Sequence, residues 1–145
     1  MNIIKRIVEW NKERQLDKLG FNKKNETTLL LEELLEMHGY EVTKDKRNQL
    51  YQLFQEFMWN AEEKGVLRKQ INIDADYEID ALCDIVVVAV GSILKKGYNP
   101  GCAMDETLKE IESRVGKIID GKFVKDTSEK AKRNWYKAFY EKCKL

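Results

Sequence analysis

The sequence predicts an all-α protein, a bundle of four to five helices followed by a basic, aromatic C-terminal arm. Three observations support this class. Apolar residues recur three and four positions apart, which is the spacing of one helix face. Only one of the 145 residues is proline. Glycines stand where helices would end, because the left-handed C-terminal cap of a helix favours glycine: Gly20, Gly39, Gly65, Gly97 and Gly121.

These glycines divide the chain into five predicted helices. The first four cover residues 3–19, 26–38, 44–64 and 76–96. The fifth opens at Asn99 and Pro100, which are typical of a helix cap and a first helical residue, and it runs toward Gly121.

Within the fourth predicted helix, residues 85–90 read Ile-Val-Val-Val-Ala-Val. This density of β-branched side chains is also typical of a buried strand. We predict a helix because the apolar run continues to Leu94 without a turn signal. A helix that is apolar on all sides is expected at the centre of a bundle.

A chain of 17.1 kDa fits one domain, with residues 1–121 as the helical core and 122–145 as an arm packed on it. The net charge of +1 predicts no partner. The arm alone is +5, with eight basic and three acidic residues. Its aromatic residues favour an arm that docks on the core: Trp135, Tyr136, Phe139 and Tyr140.

The cysteines and the apolar runs predict the compartment. Cys83, Cys102 and Cys143 are odd in number and form no CxxC pair, so we expect neither a disulfide framework nor a zinc site. No apolar run reaches the roughly 18 residues that span a bilayer, and no signal-peptide core is present. We therefore predict a cytoplasmic protein that does not enter a membrane.

The fourth predicted helix carries Asp80 and Asp84, which are four residues apart and share a face. That face runs into the most apolar part of the chain, where an unpaired carboxylate costs several kcal/mol to bury. A cation beside the pair or a retained proton is therefore expected. For Asp80 an alternative stays open, because acidic residues are also favoured at a helix N-terminus.

The second predicted helix carries Glu32, Glu33 and Glu36 within a run of leucines. At about 100° per residue, Glu33 falls between Leu29 and Met37. Glu36 borders the same apolar side chains, and Glu32 points most outward. A solvated acidic face is one interpretation. The acidic pair of the fourth helix favours another, in which both helices present carboxylates to a cation.

Carboxylate oxygens are the ligands that hard cations such as Mg²⁺ or Mn²⁺ prefer. His38 is the single histidine, so histidine-based metal sites and a Ser-His-Asp triad are hard to build. Mg²⁺ with few protein ligands keeps waters and open positions that suit phosphates. The expected chemistry is therefore on a phosphate chain.

Two segments resemble the motifs of the all-α nucleoside triphosphate pyrophosphohydrolase superfamily. They are Glu-Glu-Leu-Leu-Glu at 32–36 and Asp-Ala-Leu-Cys-Asp-Ile-Val-Val at 80–87. That superfamily includes MazG-like proteins, dimeric dUTPases and phosphoribosyl-ATP pyrophosphohydrolases. The resemblance, over about residues 25–120, implies a helical homodimer or homotetramer. It also implies Mg²⁺-dependent cleavage of a nucleoside triphosphate to the monophosphate and pyrophosphate.

The resemblance assigns roles to single residues. Glu33 and Glu36 match the ExxE motif, and Asp84 matches the aspartate of ExxD. Ala81 stands where ExxD has its glutamate, so Asp80 takes that role. The implied metal ligands are Glu33, Glu36, Asp80 and Asp84, with Glu32 as a further ligand or a base that orients the attacking water.

Substrate-binding candidates follow from the same resemblance. Arg114, Lys117 and Lys122 are similar to the basic end of phosphoribosyl-ATP-type domains. Arg114 and Lys117, expected near the end of the fifth helix, either offset its dipole or reach phosphate oxygens. Trp59 and Asn60 on the third helix are either core residues or partners of the base.

Two other function classes stay open. One is a non-catalytic helical module that senses a nucleotide or binds a protein. The other is nucleic-acid binding through the basic arm, which we rank lowest because its acidic residues and docked aromatics dilute the charge. The preferred base and sugar are not predicted.

Overall fold

The computed structural model describes residues 2–145, which are mostly helical, as predicted. The α-helices are α1 (Ile3–Glu13), α2 (Lys23–Met37), α3 (Arg47–Glu63), α4 (Ala75–Lys95), α5 (Pro100–Glu112) and α6 (Glu129–Lys132). The strands β1 (Gly116–Ile119) and β2 (Lys122–Lys125) form an antiparallel hairpin. Short 3₁₀ turns cover Leu16–Leu19, Lys44–Lys46 and Tyr140–Cys143.

The chain forms two compact units. One is the continuous segment Gly20–Ile73, which contains α2 and α3. The other combines the segment that ends at Leu19 with Asp74–Leu145, so that α1 belongs with α4, α5, the hairpin and the arm. The boundary drawn from the sequence at residue 121 falls at the hairpin turn, because Lys122 begins β2.

Most helix ends follow the sequence signals. Gly39, Gly65 and Gly97 lie just beyond α2, α3 and α4, with φ angles of 88°, 76° and 88°. Residues with a Cβ adopt this left-handed conformation only at an energetic cost. At α5, the Asn99 side chain accepts a backbone hydrogen bond from the first turn, and Pro100 is the first helical residue. Both predictions are confirmed.

The first predicted helix is shorter than expected. α1 ends at Glu13 rather than at residue 19, and Gln15 has a positive φ of 57°. A 3₁₀ turn then covers Leu16–Leu19. Because a positive φ interrupts the right-handed helix, these leucines do not continue the apolar face of α1.

The unit that contains α5 is built around that helix. α1 packs on α5, and the Arg6 guanidinium pairs there with both Asp105 and Glu112. Leu108 of α5 is only 1% exposed. Among the described residues of this unit, the buried ones are Ala103, Glu106, Leu108, Ala131 and Cys143.

The fifth helix does not continue to Gly121. It ends at Glu112, and the hairpin follows. Asp120 and Gly121 form the two-residue turn, with positive φ angles of 50° and 74°. Asp-Gly between Ile-Ile and Lys-Phe-Val is a strong hairpin signal, which the interpretation of Gly121 as a helix cap overlooked. Val115 therefore lies beyond α5, and it is 60% exposed.

α4 is a continuous helix of 21 residues, which confirms the helical prediction for 85–90. Its expected central, buried position is wrong: all of α4 is described, and none of its residues is buried. α5 packs on one side of it. Eight apolar side chains of α4 are 40–67% exposed: Tyr77, Ile79, Ile85, Val86, Val87, Val88, Val90 and Leu94.

No helix within residues 2–145 has the length and apolarity needed to cross a membrane.

The unit Gly20–Ile73 has a small core. α2 packs on α3, and Arg47 at the start of α3 pairs with Glu32 of α2. Leu53 and Phe57 of α3 are 59% and 60% exposed. Within this unit, the described residues that are buried are Thr28 and Ala61.

Candidate functional site

The acidic cluster of α2 differs from the expected arrangement. Glu32, predicted to point most outward, is the most covered of the three, with a side chain 12% exposed and paired with Arg47. Glu33 and Glu36, expected beside apolar side chains, are exposed. The helical wheel missed this because the cation comes from the next helix. Glu33 and Glu36 form an exposed pair of carboxylates, three residues apart.

A second exposed pair lies on α4. Asp80 and Asp84 are four residues apart and share one face of this helix. We expected Asp84 to be buried, and Asp80 to be either buried or placed at the helix N-terminus. Both are exposed, and the half-buried Leu82 and Ile93 lie on another side of α4. Neither aspartate forms an ion pair or a side-chain hydrogen bond with any residue in 2–145.

The two carboxylate pairs belong to different units, Glu33 and Glu36 to one and Asp80 and Asp84 to the other. Over residues 2–145, no group of three or more His, Cys, Asp or Glu side chains is arranged to hold a metal ion. Each pair by itself supplies two carboxylates, the donor type that Mg²⁺ prefers. The residues therefore fit Mg²⁺ in ligand chemistry.

Trp59 and Asn60 lie on α3 and are both exposed. Trp59 is 65% exposed, which rules out its interpretation as a core residue in this structure. A large exposed indole is uncommon on a surface unless it contacts a partner. Trp59 is therefore accessible to a stacking partner.

Arg114 lies just beyond α5 and is held by its neighbours. Its guanidinium pairs with Glu110 at 3.2 Å and lies over the Trp135 ring, 5.3 Å from the centroid. The ammonium of Lys125 lies 5.6 Å from the centroid of the same ring. These contacts join the end of α5 to β2 and the arm, so Arg114 has a structural role.

The other two basic candidates lie on the hairpin. Lys117 is on β1, so its predicted position near the end of the fifth helix is wrong. Lys122 begins β2 and is half-buried. Hydrogen bonds from Ser128 and, to a smaller extent, the charge of Lys117 lower the pKa of Asp126. Lys117 is exposed, so its ammonium is accessible to an anion.

The sequence analysis did not single out Glu106, a carboxylate on α5 that is 0% exposed. One of its oxygens accepts hydrogen bonds from the Tyr136 hydroxyl at 2.6 Å and the Phe139 backbone N–H at 2.9 Å. The other pairs with Lys142 at 2.8 Å and Lys109 at 3.3 Å. Lys142 most strongly, then Tyr136, lowers the pKa of Glu106 to about 2.

A disulfide bond joins Cys102 and Cys143, contrary to our expectation. Their Cα atoms are 5.5 Å apart, a usual separation for such a bond. Within residues 2–145 only Cys83 is free, so an odd count did not exclude a bridge. The cysteine pattern therefore does not support a reducing compartment. Cys102 lies one turn before Glu106, so bridge and carboxylate hold the arm to the same side of α5.

The sequence carries a signal for the site on α5 that holds the arm. Cys102 and Glu106 are four residues apart, on the side of α5 opposite the stripe of Met104 and Leu108. An arm with tyrosines, lysines and a cysteine supplies matching partners for both.

Comparisons of the chain with protein-family models, with curated proteins and with solved structures find no match.

Proposed function

We propose that the protein is a Mg²⁺-dependent nucleoside triphosphate pyrophosphohydrolase that cleaves an NTP or dNTP to the monophosphate and pyrophosphate. The observation that carries this proposal is the exposure of two carboxylate pairs, Glu33 with Glu36 and Asp80 with Asp84. Like charges four residues apart on a helix repel each other, and neither Asp80 nor Asp84 has an ion-pair or hydrogen-bond partner among residues 2–145. A divalent cation between these two carboxylates would offset that repulsion.

In this proposal, Glu33, Glu36, Asp80 and Asp84 supply the oxygen ligands. Mg²⁺, when bound, supplies positive charge for the triphosphate and lowers the pKa of a bound water. Glu32 is less suited to be a ligand or a base, because Arg47 already pairs with it. We assign Glu32 to holding α3 against α2.

The exposed side chains of α3 and the hairpin suit the rest of a nucleotide. Trp59 offers an indole face to the base, and Asn60, beside it, offers hydrogen bonds. Lys117 offers positive charge to the phosphates or to the departing pyrophosphate. Lys122 has the same charge but is half-buried, and Arg114 is engaged by Glu110 and Trp135, so we expect smaller roles for both.

The test is pyrophosphate release from a panel of NTPs and dNTPs with Mg²⁺ or Mn²⁺. Glu33→Gln and Asp84→Asn each remove one ligand charge, so we expect turnover to fall by about 100-fold or more. The helical circular dichroism should not change, because both side chains are exposed. Glu56→Gln, an exposed glutamate of α3, is the matched control and should keep full activity.

Two results would contradict the proposal. Wild-type turnover in both variants would contradict the assignment of Glu33 and Asp84 as metal ligands. The absence of turnover with every nucleotide and both metals would contradict the assignment of the protein as an enzyme.

A second candidate is a non-catalytic nucleotide-sensing or protein-interaction module. The exposed apolar side chains of α4 favour it, because large apolar patches usually bind a partner. A thermal-shift series separates the two functions. Stabilisation by Mg²⁺ and nucleotide with pyrophosphate release supports the enzyme, whereas stabilisation without release supports the sensing module.

A further inference from the structure

One stripe of α4 consists of apolar side chains at intervals of three and four residues: Ile79, Cys83, Val87, Val90 and Leu94. We call these five residues the α4 seam. At about 100° per residue they fall within an arc of roughly 80°. The four aliphatic side chains are 40–67% exposed, and Cys83 is exposed as well.

The seam is separate from the half-buried apolar side chains of α4. Leu82 and Ile93 are half-buried and lie roughly 80–100° from the middle of the seam. A contiguous exposed apolar stripe is typical of an interaction surface, whereas apolar side chains exposed singly are common on any protein. Intervals of three and four residues are those by which two helices pack side chains into each other's grooves.

The charged residues of α4 indicate which partner packs on the seam. The N-terminal part of α4 is acidic, with Asp76 and Asp80, and its C-terminal end is basic, with Lys95. Asp80 and Lys95 lie on the same flank of the seam, at opposite ends. An antiparallel second α4 would bring Lys95 of one copy beside Asp80 of the other at both ends. A parallel second α4 would place like charges together and align the two helix dipoles unfavourably.

We propose that the α4 seam is a homodimer interface, on which α4 of a second copy packs antiparallel about a twofold axis near Val87. A twofold axis makes one self-complementary surface sufficient for both partners. In this register Ile79 faces Leu94 of the second copy, and Cys83 faces its Val90. The inference does not depend on the proposed function, although Asp80 and Asp84 would border the interface.

Two neighbouring valines with equal exposure allow a matched test. Val87 and Val88 are both 67% exposed, but Val88 lies roughly 140° from the middle of the seam. Light scattering after size exclusion should show a dimer for the wild type and for Val88→Glu. Val87→Glu places two like charges at the axis, so we expect its dimer dissociation constant to rise by about 100-fold or more.

A monomeric wild type, or a Val87→Glu dimer as tight as that of Val88→Glu, would overturn the proposal. Both valines are exposed in one chain, so neither change should alter the helical circular dichroism of the monomer.

Cross-linking tests the register. Cys83 and a cysteine at position 90 are seven residues, about 10 Å, apart on one helix, too far to join within a chain. Oxidised Val90→Cys should therefore form a covalent dimer, and Cys83→Ser combined with Val90→Cys should not. If the wild type cross-links through Cys83 alone, or the double variant still cross-links, the antiparallel register is wrong.

Discussion

α4 and α5 are neighbouring helices of the same unit, yet they differ in burial. All residues of both helices are described; α5 has three buried residues among 13, and α4 has none among 21. α4 is nevertheless the more apolar of the two, with its run of valines at 85–90. The difference teaches that burial depends on what the chain brings back to cover a helix. α5 is covered by α1 and by the arm, whereas α4 within its unit packs on α5.

The cover on α5 is largely polar. The arm surrounds the buried carboxylate of Glu106 with the Tyr136 hydroxyl, the Phe139 backbone N–H and the Lys142 ammonium, and Lys109 of α5 itself adds a second ammonium. A buried charge is tolerated only when its partners satisfy it, which these four donors do. A covalent bridge at Cys102 holds the arm in place. Specific partners, rather than apolar content, thus determine which helix is buried.

The strongest test of this comparison truncates one aliphatic side chain to alanine on each of the two helices. Leu108→Ala on α5 deletes a side chain that is 1% exposed and should lower the free energy of unfolding by about 3–5 kcal/mol. Val88→Ala on α4, at 67% exposure, should change it by less than about 0.5 kcal/mol. Urea unfolding followed by circular dichroism measures both. Equal losses would mean that α4 is as well covered as α5.

The sequence predicted the helices well because their signals are local. The asparagine and proline at the start of α5 and the glycines after α2, α3 and α4 act within one turn, and the structure has them as predicted. The hairpin was missed although its signal is also local, since Asp120-Gly121 was read as a helix end. Here two local rules competed for the same glycine, and the turn rule determined the structure.

The contacts between distant residues were not predictable in the same way. The partners that the arm brings to Glu106 lie 30 or more residues further along the chain, and the cysteines of the bridge are 41 residues apart. Spacing along one helix cannot report a partner that arrives from another element. The same reason explains why Glu32, paired with Arg47 of the next helix, was predicted to point outward.

The carboxylate pairs show what remains of the predicted site. Periodicity correctly places Glu33 near Glu36 and Asp80 near Asp84, because each pair lies within a single helix. Their expected burial was wrong, since it required neighbours that periodicity does not supply. That these carboxylates bind Mg²⁺ stays a prediction, which the ligand variants test.

Loss of the Cys102–Cys143 disulfide should release the arm from α5 and lower the free energy of unfolding, whereas a matched change on α4 should not. A bridge between residues 41 positions apart stabilises a fold by about 2–4 kcal/mol, chiefly by restricting the unfolded chain. Cys143→Ser should therefore unfold at lower urea, and the wild type in reducing buffer should behave like it. Cys83→Ser is the matched control on α4, with an expected change below about 0.5 kcal/mol. Identical urea midpoints for the oxidised wild type and Cys143→Ser would contradict the role of the bridge.

The smallest expected effect concerns pH and the charge on Glu106. Its pKa falls from an ordinary 4.5 to about 2 in the folded chain, chiefly through Lys142. Between these values the unfolded chain binds the proton more readily, so the contribution of Glu106 is complete above pH 4.5 and is lost as the pH falls toward 2.

Glu106→Gln should lower the melting temperature at pH 7 by roughly 5 °C. The difference from the wild type should narrow steadily between pH 5 and 2, whereas Glu56→Gln, an exposed change, should follow the wild type at every pH. Parallel curves for the wild type and Glu106→Gln across this range would show that the arm is held to α5 without the help of this charge.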